Sequence, residues 1–589
     1  MNPANDREFS LSQIFKNYNA IKKNKAQIKK IKVFSEVTFQ PNDIITDYFA
    51  RKFGFALHYE IGLYDQMNYE THKVEENKIN EYDFIYIHSS IFKWFISNEV
   101  NLYDENTTRL DIFLENVKKI CKKNSKSSVI VNTLEYPPFR VRGSLSSRAG
   151  LTFRVREFNN ALFKLSYEMS NLIVHDINYI SSRTGLDEWF DYDSWVAFKQ
   201  PFSEKGLVAL SQSLASVIAS AIGKTKKIII SDLDDTIWSG IVGDDGVDGI
   251  LIGPNTPKGE LFYIIQKYLL FLIKSGVIFS IASKNDNQVV GDAFKKRKED
   301  MPINLELSSS SKINWTEKSK NIKEILLELN LLSDSAIFID DSELECLEVE
   351  TNTDGCIAIS YKKSPIELIK KIDSMGFFEI TNISSSDKSR TQYYKDNKIR
   401  EKLIENSDSY EKFLKSLEMK TNIQWKVDKH IERASQLTKK TNQFNLTQVS
   451  IEKEDVKSYE ANDNKWIVIS DLVDKIGNNG IVTVVFGFCK DDKLIIENWT
   501  MSCRVFNRGL DFAILNEIIA FARSKGLLEI HSSINKIQKN KFTHNLHELL
   551  GFKLMGKSDN KYNYVYDLKN FLDNKDNESQ RRHYIKVCK

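Results

Sequence analysis

Lys226-Lys227-Ile228-Ile229-Ile230-Ser231-Asp232-Leu233-Asp234-Asp235-Thr236-Ile237-Trp238 is the stretch that decides how this chain is read. Ile228 to Ile230 is a short apolar run, which predicts a buried strand. It runs straight into Asp-x-Asp-x-Thr. Two carboxylates one residue apart, just past a buried strand end, can share one Mg²⁺ and divide two jobs. One attacks phosphorus as a nucleophile and the other handles the leaving-group proton. A bare Asp-x-Asp-x-Thr can also be a loop of solvated acids, because short motifs arise by chance.

Three further features follow in order. Val277 to Ala282 reads as a second buried strand ending at Ser283-Lys284-Asn285, and Ser283 offers a small hydroxyl to a phosphate oxygen. Lys318 opens a helical stretch, expected over Asn321 to Leu331, where it can neutralise a phosphoryl group and the attacking aspartate. Ala336 to Ile339 reads as a third strand ending in Asp340-Asp341, an acidic pair suited to complete the Mg²⁺ site. Ligands at the carboxyl ends of parallel strands are what an open α/β sheet provides. The set resembles the haloacid-dehalogenase (HAD) phosphotransferase superfamily. Between Asp232 and Ser283 lie only a Gly-rich, hairpin-like flap, Gly240 to Gly253, and a helix. Between Ser283 and Lys318 the pattern is helix and loop. Neither interval has room for a cap domain, so the expected site is open to large substrates. Water exclusion, useful to the chemistry, then falls to another domain or a partner.

At 589 residues and 68.1 kDa the chain is too long for one core, and three domains are expected. A net charge of +3 is too balanced to imply nucleic-acid binding, so the Lys-rich runs near Lys22 to Lys32 and Lys118 to Lys126 read as solvated faces. No apolar run is long enough to predict a membrane span, and Met1 to Asp6 lacks a signal-peptide core. The cysteines, Cys121, Cys346, Cys356, Cys489, Cys503 and Cys588, are scattered without a CxxC. That is neither a disulfide framework nor a zinc site, and it predicts a reducing, cytoplasmic compartment.

The expected fold class is α/β in three domains: 1–222, 225–377 and 378–572, with a polar, mobile tail at 573–589. In the first, strands at Lys32–Phe34, Phe84–Ile87 and Ser128–Val131 alternate with helices, which predicts a parallel sheet. The second is the capless, Rossmann-like HAD segment. The third is α+β; it follows the polar stretch Asn382 to Asp387 and opens with a charged helical region, Ser389 to Leu417. Within it, Arg433 to Thr447 is dense in amides and hydroxyls. Such a segment lines a polar groove or satisfies its own backbone. Leu494 to Asp511 leads from a strand through Cys503 into a turn and then a helix, Phe512 to Arg523. This resembles the acyl-CoA-binding core of the GNAT acetyltransferase fold, where an Arg/Gln-x-x-Gly-x-Gly/Ala turn at a helix N-terminus cradles pyrophosphate. Arg504 and Gly509 hold its first and last positions. Asn507 replaces the middle Gly and tolerates left-handed backbone better than most residues. Cys503 reads either as a packing residue or as a thiolate activated by Arg504, Arg508 and the helix N-terminus. His547 to Phe552 resembles a GNAT helix-to-strand ending.

The segments DLDDTIWSGIVGDDG (Asp232 to Gly246), QLTKKTNQFNLT (Gln436 to Thr447) and MSCRVFNRG (Met501 to Gly509) occur in that order. Together they resemble the FkbH-like proteins, the HAD-IIIC family, over nearly the whole chain. The resemblance implies an enzyme that takes 1,3-bisphosphoglycerate, removes phosphate, and loads a glyceryl unit onto the phosphopantetheine thiol of an acyl carrier protein. Polyketide and polysaccharide pathways are both compatible. It implies Asp232 as nucleophile, Asp234 as acid/base, Ser283, Lys318 and Thr236 as phosphate ligands, and Asp232, Asp234 and Asp340 as Mg²⁺ ligands with Asp341 behind them. Cys503 would accept the acyl group, with Arg504, Arg508 and Gly509 holding pantetheine. It also implies an SGNH-hydrolase-like N-terminal domain with Ser35 at the nucleophile position. The block Asp191 to Val196, where an Asp-x-x-His pair belongs, holds no His, so docking is expected there rather than hydrolysis. A plain Mg²⁺-dependent phosphatase of a small metabolite, and a metal-holding scaffold without turnover, are the alternative readings.

Overall fold

The structure is a computed structural model. It describes residues 10–23, 26–63, 82–96, 108–139, 150–379, 396, 399–400, 403–404, 406–425, 427, 430–441, 443–451, 453–568 and 584–588. Asn382 to Asp387, much of Ser389 to Asn406, Asn442 and residues 573–583 of the expected tail lie outside the described residues. The chain divides into two compact units. One comprises Met1–Lys227, Ser231–Tyr268 and Asp334–Asn382; the other comprises Ile228–Ile230, Leu269–Ser333 and Ile383–Lys589.

In the first unit, β1 (Gln27–Ser35), β2 (Phe55–Ile61), β3 (Phe84–His88), β4 (Ser128–Asn132) and β5 (Leu172–His175) form a sheet ordered β2-β1-β3-β4-β5. All four pairings are parallel. Ile85 to Ile87 and Val129 to Val131 are buried without alternation. A parallel sheet covered by helices on both faces demands this, and helices Asn42–Lys52, Leu151–Glu168 and Glu204–Ala221 supply the cover. Strand order reverses between β1 and β3, which places a switch point at their carboxyl ends. There the chain buries polar groups: Glu36 takes hydrogen bonds from Ser89 and from the Trp94 indole, and Glu135 takes one from Ser90.

A second sheet contains β6 (Ile228–Ser231), β7 (Ile278–Ser283), β8 (Ser311–Ile313), β9 (Ala336–Ile339) and β10 (Ile357–Ile359), ordered β10-β9-β6-β7-β8. Ile228, Ile229 and Ile230 are fully buried, as are Ala336 to Ile339. Each fully buried Ile contributes roughly 1.5–3 kcal/mol, so these strand ends are rigid platforms. The expected hairpin-like flap is closed at its base by the antiparallel bridge Ser239–Leu251, but holds a short helix, Val242–Gly249. The helix expected over Asn321 to Leu331 runs Lys318–Glu328. It ends early because Asn330 takes a left-handed conformation, φ 50°, and Leu331 N–H turns back to the Leu326 carbonyl.

In the second unit, β11 (Met419–Gln424), β12 (Lys465–Val473), β13 (Asn478–Lys490), β14 (Lys493–Met501), β15 (Glu529–Asn535), β16 (Lys553–Ser558), β17 (Lys561–Asp567) and β18 (Ile585–Cys588) form a mixed sheet, ordered β16-β17-β15-β14-β13-β12-β11-β18. The helix Leu510–Ser524 buries Leu510, Ile514 and Ile518 in a core shared with Trp499, Ile530 and Tyr564. The β13–β14 register shifts between Phe486 and Gly487, the extra residue, Glu497, lying in β14; a Cβ on Gly487 would meet the Ile495 carbonyl oxygen at 1.9 Å, so only glycine fits. The mobile-tail expectation fails at Ile585–Cys588. These residues pair in parallel with β11, and Ile585 is buried. Backbone groups at an open sheet edge recruit a strand, and Ile585 and Val587 are β-branched residues that suit one.

Burial raises the Glu135 carboxyl from 4.5 to about 7, against opposing hydrogen bonds from Ser90 and backbone. The folded value lies above the unfolded one. This stabilising contribution is therefore complete below about pH 4.5 and lost as pH rises through about 7. Glu135→Gln is expected to match the wild type in thermal stability near pH 4 and to exceed it near pH 8. Melting curves at the two pH values measure this.

Candidate functional site

β6 and β9 end in the residues that matter. The Asp232 N–H donates to the Ile339 carbonyl at 2.9 Å, which locks the end of one strand to the end of the next. The next residue after Ile339, Asp340, donates in turn to Ile359 at 3.1 Å. Side-chain oxygens of Asp232, Asp340 and Asp341 consequently lie within 4.8 Å of one another. Asp232 and Asp340 are buried, while Asp341 reaches solvent. Three carboxylates this close repel one another, and burial sharpens the cost. A hard cation resolves that repulsion. The donor set is all oxygen, without His or Cys, and so suits Mg²⁺ or Ca²⁺ rather than zinc or copper.

The remaining residues of the motif arrange this cluster. Asp234 Oδ1 accepts from the Trp238 indole at 2.8 Å and from Val242 N–H at 3.0 Å. Asp235 adopts a left-handed conformation, φ 46°, and its side chain accepts from Gly240 N–H at 2.9 Å. Thr236, read from the sequence as a phosphate ligand, is fully buried, and its Oγ1 accepts from Asp341 N–H at 3.1 Å. It ties the first acidic loop to the second. Asp340 Oδ1 accepts from Ser342 N–H at 2.9 Å, and Ser342 caps the following helix, Glu343–Asn352. Tyr361 was not evident from sequence. Its hydroxyl donates to the Asp235 carbonyl at 2.7 Å. Burial, and then the negative charges of Asp341, Asp235 and Asp340, push its pKa up.

Ser283 ends β7 and is buried. Lys318 is the first residue of its helix and is 4% exposed. A buried ammonium at the positive end of a helix dipole is unfavourable unless an anion offsets it. The loop before it is held by paired amides: Asn321 Nδ2 donates to Asn314 Oδ1 at 3.0 Å, and Asn314 Oδ1 also accepts Thr316 N–H at 2.9 Å.

In the N-terminal sheet, Ser35 Oγ lies 3.1 Å from His88 Nδ1 and donates to the Val37 carbonyl at 2.7 Å. This pairing was not foreseen, because the sequence reading looked for a His after Asp191. His88 is packed among Phe39, Tyr86 and Phe202, and burial lowers its pKa to about 3. Its Nε2 is buried and makes no hydrogen bond. An imidazole with no group to orient it is a core residue rather than a general base. Asp191 caps the helix Tyr192–Phe198 by accepting from Ser194 N–H at 2.9 Å.

In the C-terminal domain the strand ends at Met501, and Cys503 sits half-buried in a single tight turn, not in the strand as expected. Asn507, φ 60°, and Gly509, φ 81°, are both left-handed, and Gly509 caps the helix Leu510–Ser524. Tyr410 donates to the Asn507 carbonyl at 2.6 Å. Arg504 is buried. Arg508 donates to the Arg504 carbonyl at 2.7 Å and pairs with Asp474 at 3.2 Å. Arg400 grips the same carboxylate with two bonds, at 2.8 and 2.9 Å. Burial alone would raise the Asp474 pKa, but the Arg400 hydrogen bond and charge hold it below the usual range. A cavity of about 440 Å³ opens beside this turn, lined by Tyr410, Asn507, Gly509, Asp511, Phe512 and Tyr584 among others.

The amide-rich segment is a bridge. β14 pairs in parallel with β15 only from Lys493 to Ile496. Beyond that point Leu446 N–H donates to the Trp499 carbonyl at 3.2 Å, and Asn535 N–H donates to the Leu446 carbonyl at 2.8 Å. Asn445 and Asn498, both buried, join side chain to side chain at 2.8 Å. Of the two readings of this segment, backbone satisfaction is the one that holds.

No protein-family model matches the chain, and no curated protein matches it. Among solved structures, the N-terminal part of the protein BF1531 from Bacteroides fragilis, containing a phosphatase domain complexed with Mg, aligns with a TM-score of 0.59 and 22% identity, over 64% of this chain and 100% of that one. That likeness establishes a shared fold. A putative GNAT-family acetyltransferase from Desulfovibrio desulfuricans aligns at a TM-score of 0.22 and 14% identity, over 26% of this chain and 99% of its own. The ribosomal-protein-S18-alanine N-acetyltransferase from Escherichia coli aligns at 0.21 and 13%, over 25% and 94%. At scores this low the resemblance fixes no fold. Among the described residues, no helix is long and apolar enough to cross a membrane.

Removing the carboxylate from a buried ion pair strands its partners, at about 3–5 kcal/mol. Asp474→Ala removes the carboxylate that Arg400 and Arg508 both bond, and a loss of stability in that range is expected in urea unfolding.

Proposed function

We propose that this chain is a Mg²⁺-dependent phosphatase and acyltransferase of the FkbH-like kind. It would dephosphorylate 1,3-bisphosphoglycerate, or a related acyl phosphate, and pass the acyl unit to the phosphopantetheine thiol of an acyl carrier protein. The observation that carries this reading is the convergence of Asp232, Asp340 and Asp341 beyond buried strand ends. The shared fold with a phosphatase-containing structure supports it.

In this reading Asp232, Asp340 and the Asp234 carbonyl hold Mg²⁺, with Asp341 beside them. The ion supplies charge stabilisation to the phosphoryl oxygens. Asp232 attacks phosphorus, and Asp234 exchanges the proton of the leaving oxygen. By the resemblance, Ser283 and Lys318 would bind phosphate. Thr236 positions Asp341. Cys503 accepts the acyl group from the acyl phosphate, the carboxylic-phosphoric anhydride oxygen leaving with phosphate, and hands it to the carrier thiol. The turn Arg504 to Gly509, with its adjoining cavity, receives the pantetheine arm. The N-terminal domain is a docking module rather than a hydrolase, and the protein works in the cytoplasm.

A plain phosphatase of a small phosphorylated metabolite is the second reading. One observation favours it: Arg508, expected to activate Cys503, is itself engaged with Asp474.

Intact-protein mass spectrometry separates the two. Enzyme, Mg²⁺, 1,3-bisphosphoglycerate generated in place and a phosphopantetheinylated carrier are expected to yield a glyceryl-sized gain on the carrier. Asp232→Asn is expected to abolish phosphate release, and Cys503→Ser to block carrier loading while sparing hydrolysis of a phosphate monoester. Carrier loading that survives Cys503→Ser removes the cysteine from the mechanism. Phosphate release with neither protein modified selects the second reading. Independently, Mg²⁺ is expected to raise the melting temperature of the wild type and not of Asp340→Ala.

A further inference from the structure

Tyr410, Leu414, Phe512, Leu549 and Tyr584 give the cavity beside the Gly509 turn, of about 440 Å³, largely apolar walls. Apolar walls with a few placed polar groups are the usual make-up of a small-molecule site. Asp511 also lines it. This residue is the second of the helix Leu510–Ser524, after the left-handed Gly509. It stands in the first turn, where a helix offers N–H groups to an anion. The N–H groups of Phe512 and of Asp511 itself act on its carboxyl, and burial, the larger effect, raises its pKa to about 6. Near pH 7.5 the group is therefore charged. The helix supplies its own anion where a bound phosphate would otherwise sit. Arg508 lines the cavity too, but it engages Asp474 at 3.2 Å and the Arg504 carbonyl at 2.7 Å, and the Asp396 charge also acts on it.

An arm carrying amides has a second conceivable route, as an added strand where β14 and β15 part. The backbone groups there are taken. Met501 N–H donates to the Phe444 carbonyl at 2.9 Å, Leu446 N–H to the Trp499 carbonyl at 3.2 Å, and Asn535 N–H to the Leu446 carbonyl at 2.8 Å. The chain's own segment fills that gap, which leaves the arm the cavity beside Gly509.

We infer that Asp511 sets the specificity of this cavity, which admits the uncharged, amide-bearing part of a pantetheine arm and repels a pyrophosphate such as that of free CoA. This rests on the carrier-thiol reading above and adds to it a residue and the part of the arm it selects. Pantetheine carries amide N–H groups, for which a carboxylate is an acceptor. A pyrophosphate brings only negative charge to the same place.

The test titrates the full-length protein with pantetheine and with CoA near pH 7.5, without added Mg²⁺, and follows binding by saturation-transfer NMR of the ligand. In the wild type CoA is expected to bind more weakly than pantetheine. Asp511→Asn is expected to lower the ratio of the CoA Kd to the pantetheine Kd by about five- to thirty-fold, the worth of one charge at a helix N-terminus. That ratio, taken in one preparation, does not depend on how much of the variant is folded. Leu549→Trp, at an exposed position on the rim, is expected to weaken pantetheine binding. A ratio that Asp511→Asn leaves unchanged overturns the inference, as does a wild type that binds CoA as tightly as pantetheine, or pantetheine binding indifferent to Leu549→Trp. A wild type that does not bind pantetheine overturns it as well; if a phosphopantetheinylated carrier also fails to bind, the carrier-thiol reading beneath it falls too.

Discussion

Repulsion among three carboxylates is the constraint around which the first unit is organised. Asp232, Asp340 and Asp341 lie within 4.8 Å of one another, two of them buried. Unfolded, these groups would separate freely. In the folded chain they are held together because each continues a strand that cannot shift. Ile228 to Ile230 and Ala336 to Ile339 are fully buried, and a one-residue slip would turn the whole apolar set the other way. Stability gained in the hydrophobic strands offsets an electrostatic cost at their ends.

A layer of neutral hydrogen bonds keeps that cost directional. Thr236 binds the Asp341 backbone, Ser342 binds Asp340, and Tyr361 reaches across to Asp235. None of these groups brings a charge of its own. The flap follows the same plan. Its root hangs on carboxylates Asp234, Asp235 and Asp245.

The C-terminal domain faces a different problem. Parallel strands β14 and β15 part after Ile496, which would leave backbone donors and acceptors buried and unmet. The chain fills the gap with its own segment around Asn445 to Thr447, and the Asn445–Asn498 amide pair locks it there. Two arginines share one buried aspartate behind the Cys503 turn. Buried ionic contacts of this kind specify one arrangement more than they add stability, and here the arrangement is that of the turn from Cys503 to Gly509.

Much of this was legible from sequence. Apolar runs ending in acids located β6 and β9, and one ending in a serine located β7, and with them Asp232, Asp340 and Ser283, because burial and strand period are local properties. The left-handed turn at Asn507 and Gly509 was legible for the same reason: φ preference belongs to the residue. What sequence left open was pairing between distant residues. Ser35 with His88, Tyr361 with Asp235, and Asp474 with Arg400 and Arg508 carry no periodic signal. The hydrogen bond from Asp341 N–H to Thr236 was not foreseen for that reason, nor was the pairing of Ile585–Cys588 with the sheet edge. By itself the sequence determined where strands end and which chemistry stands there. Tertiary structure alone decided which polar atom meets which, because a hydrogen bond depends on distance and angle that only the packed chain sets.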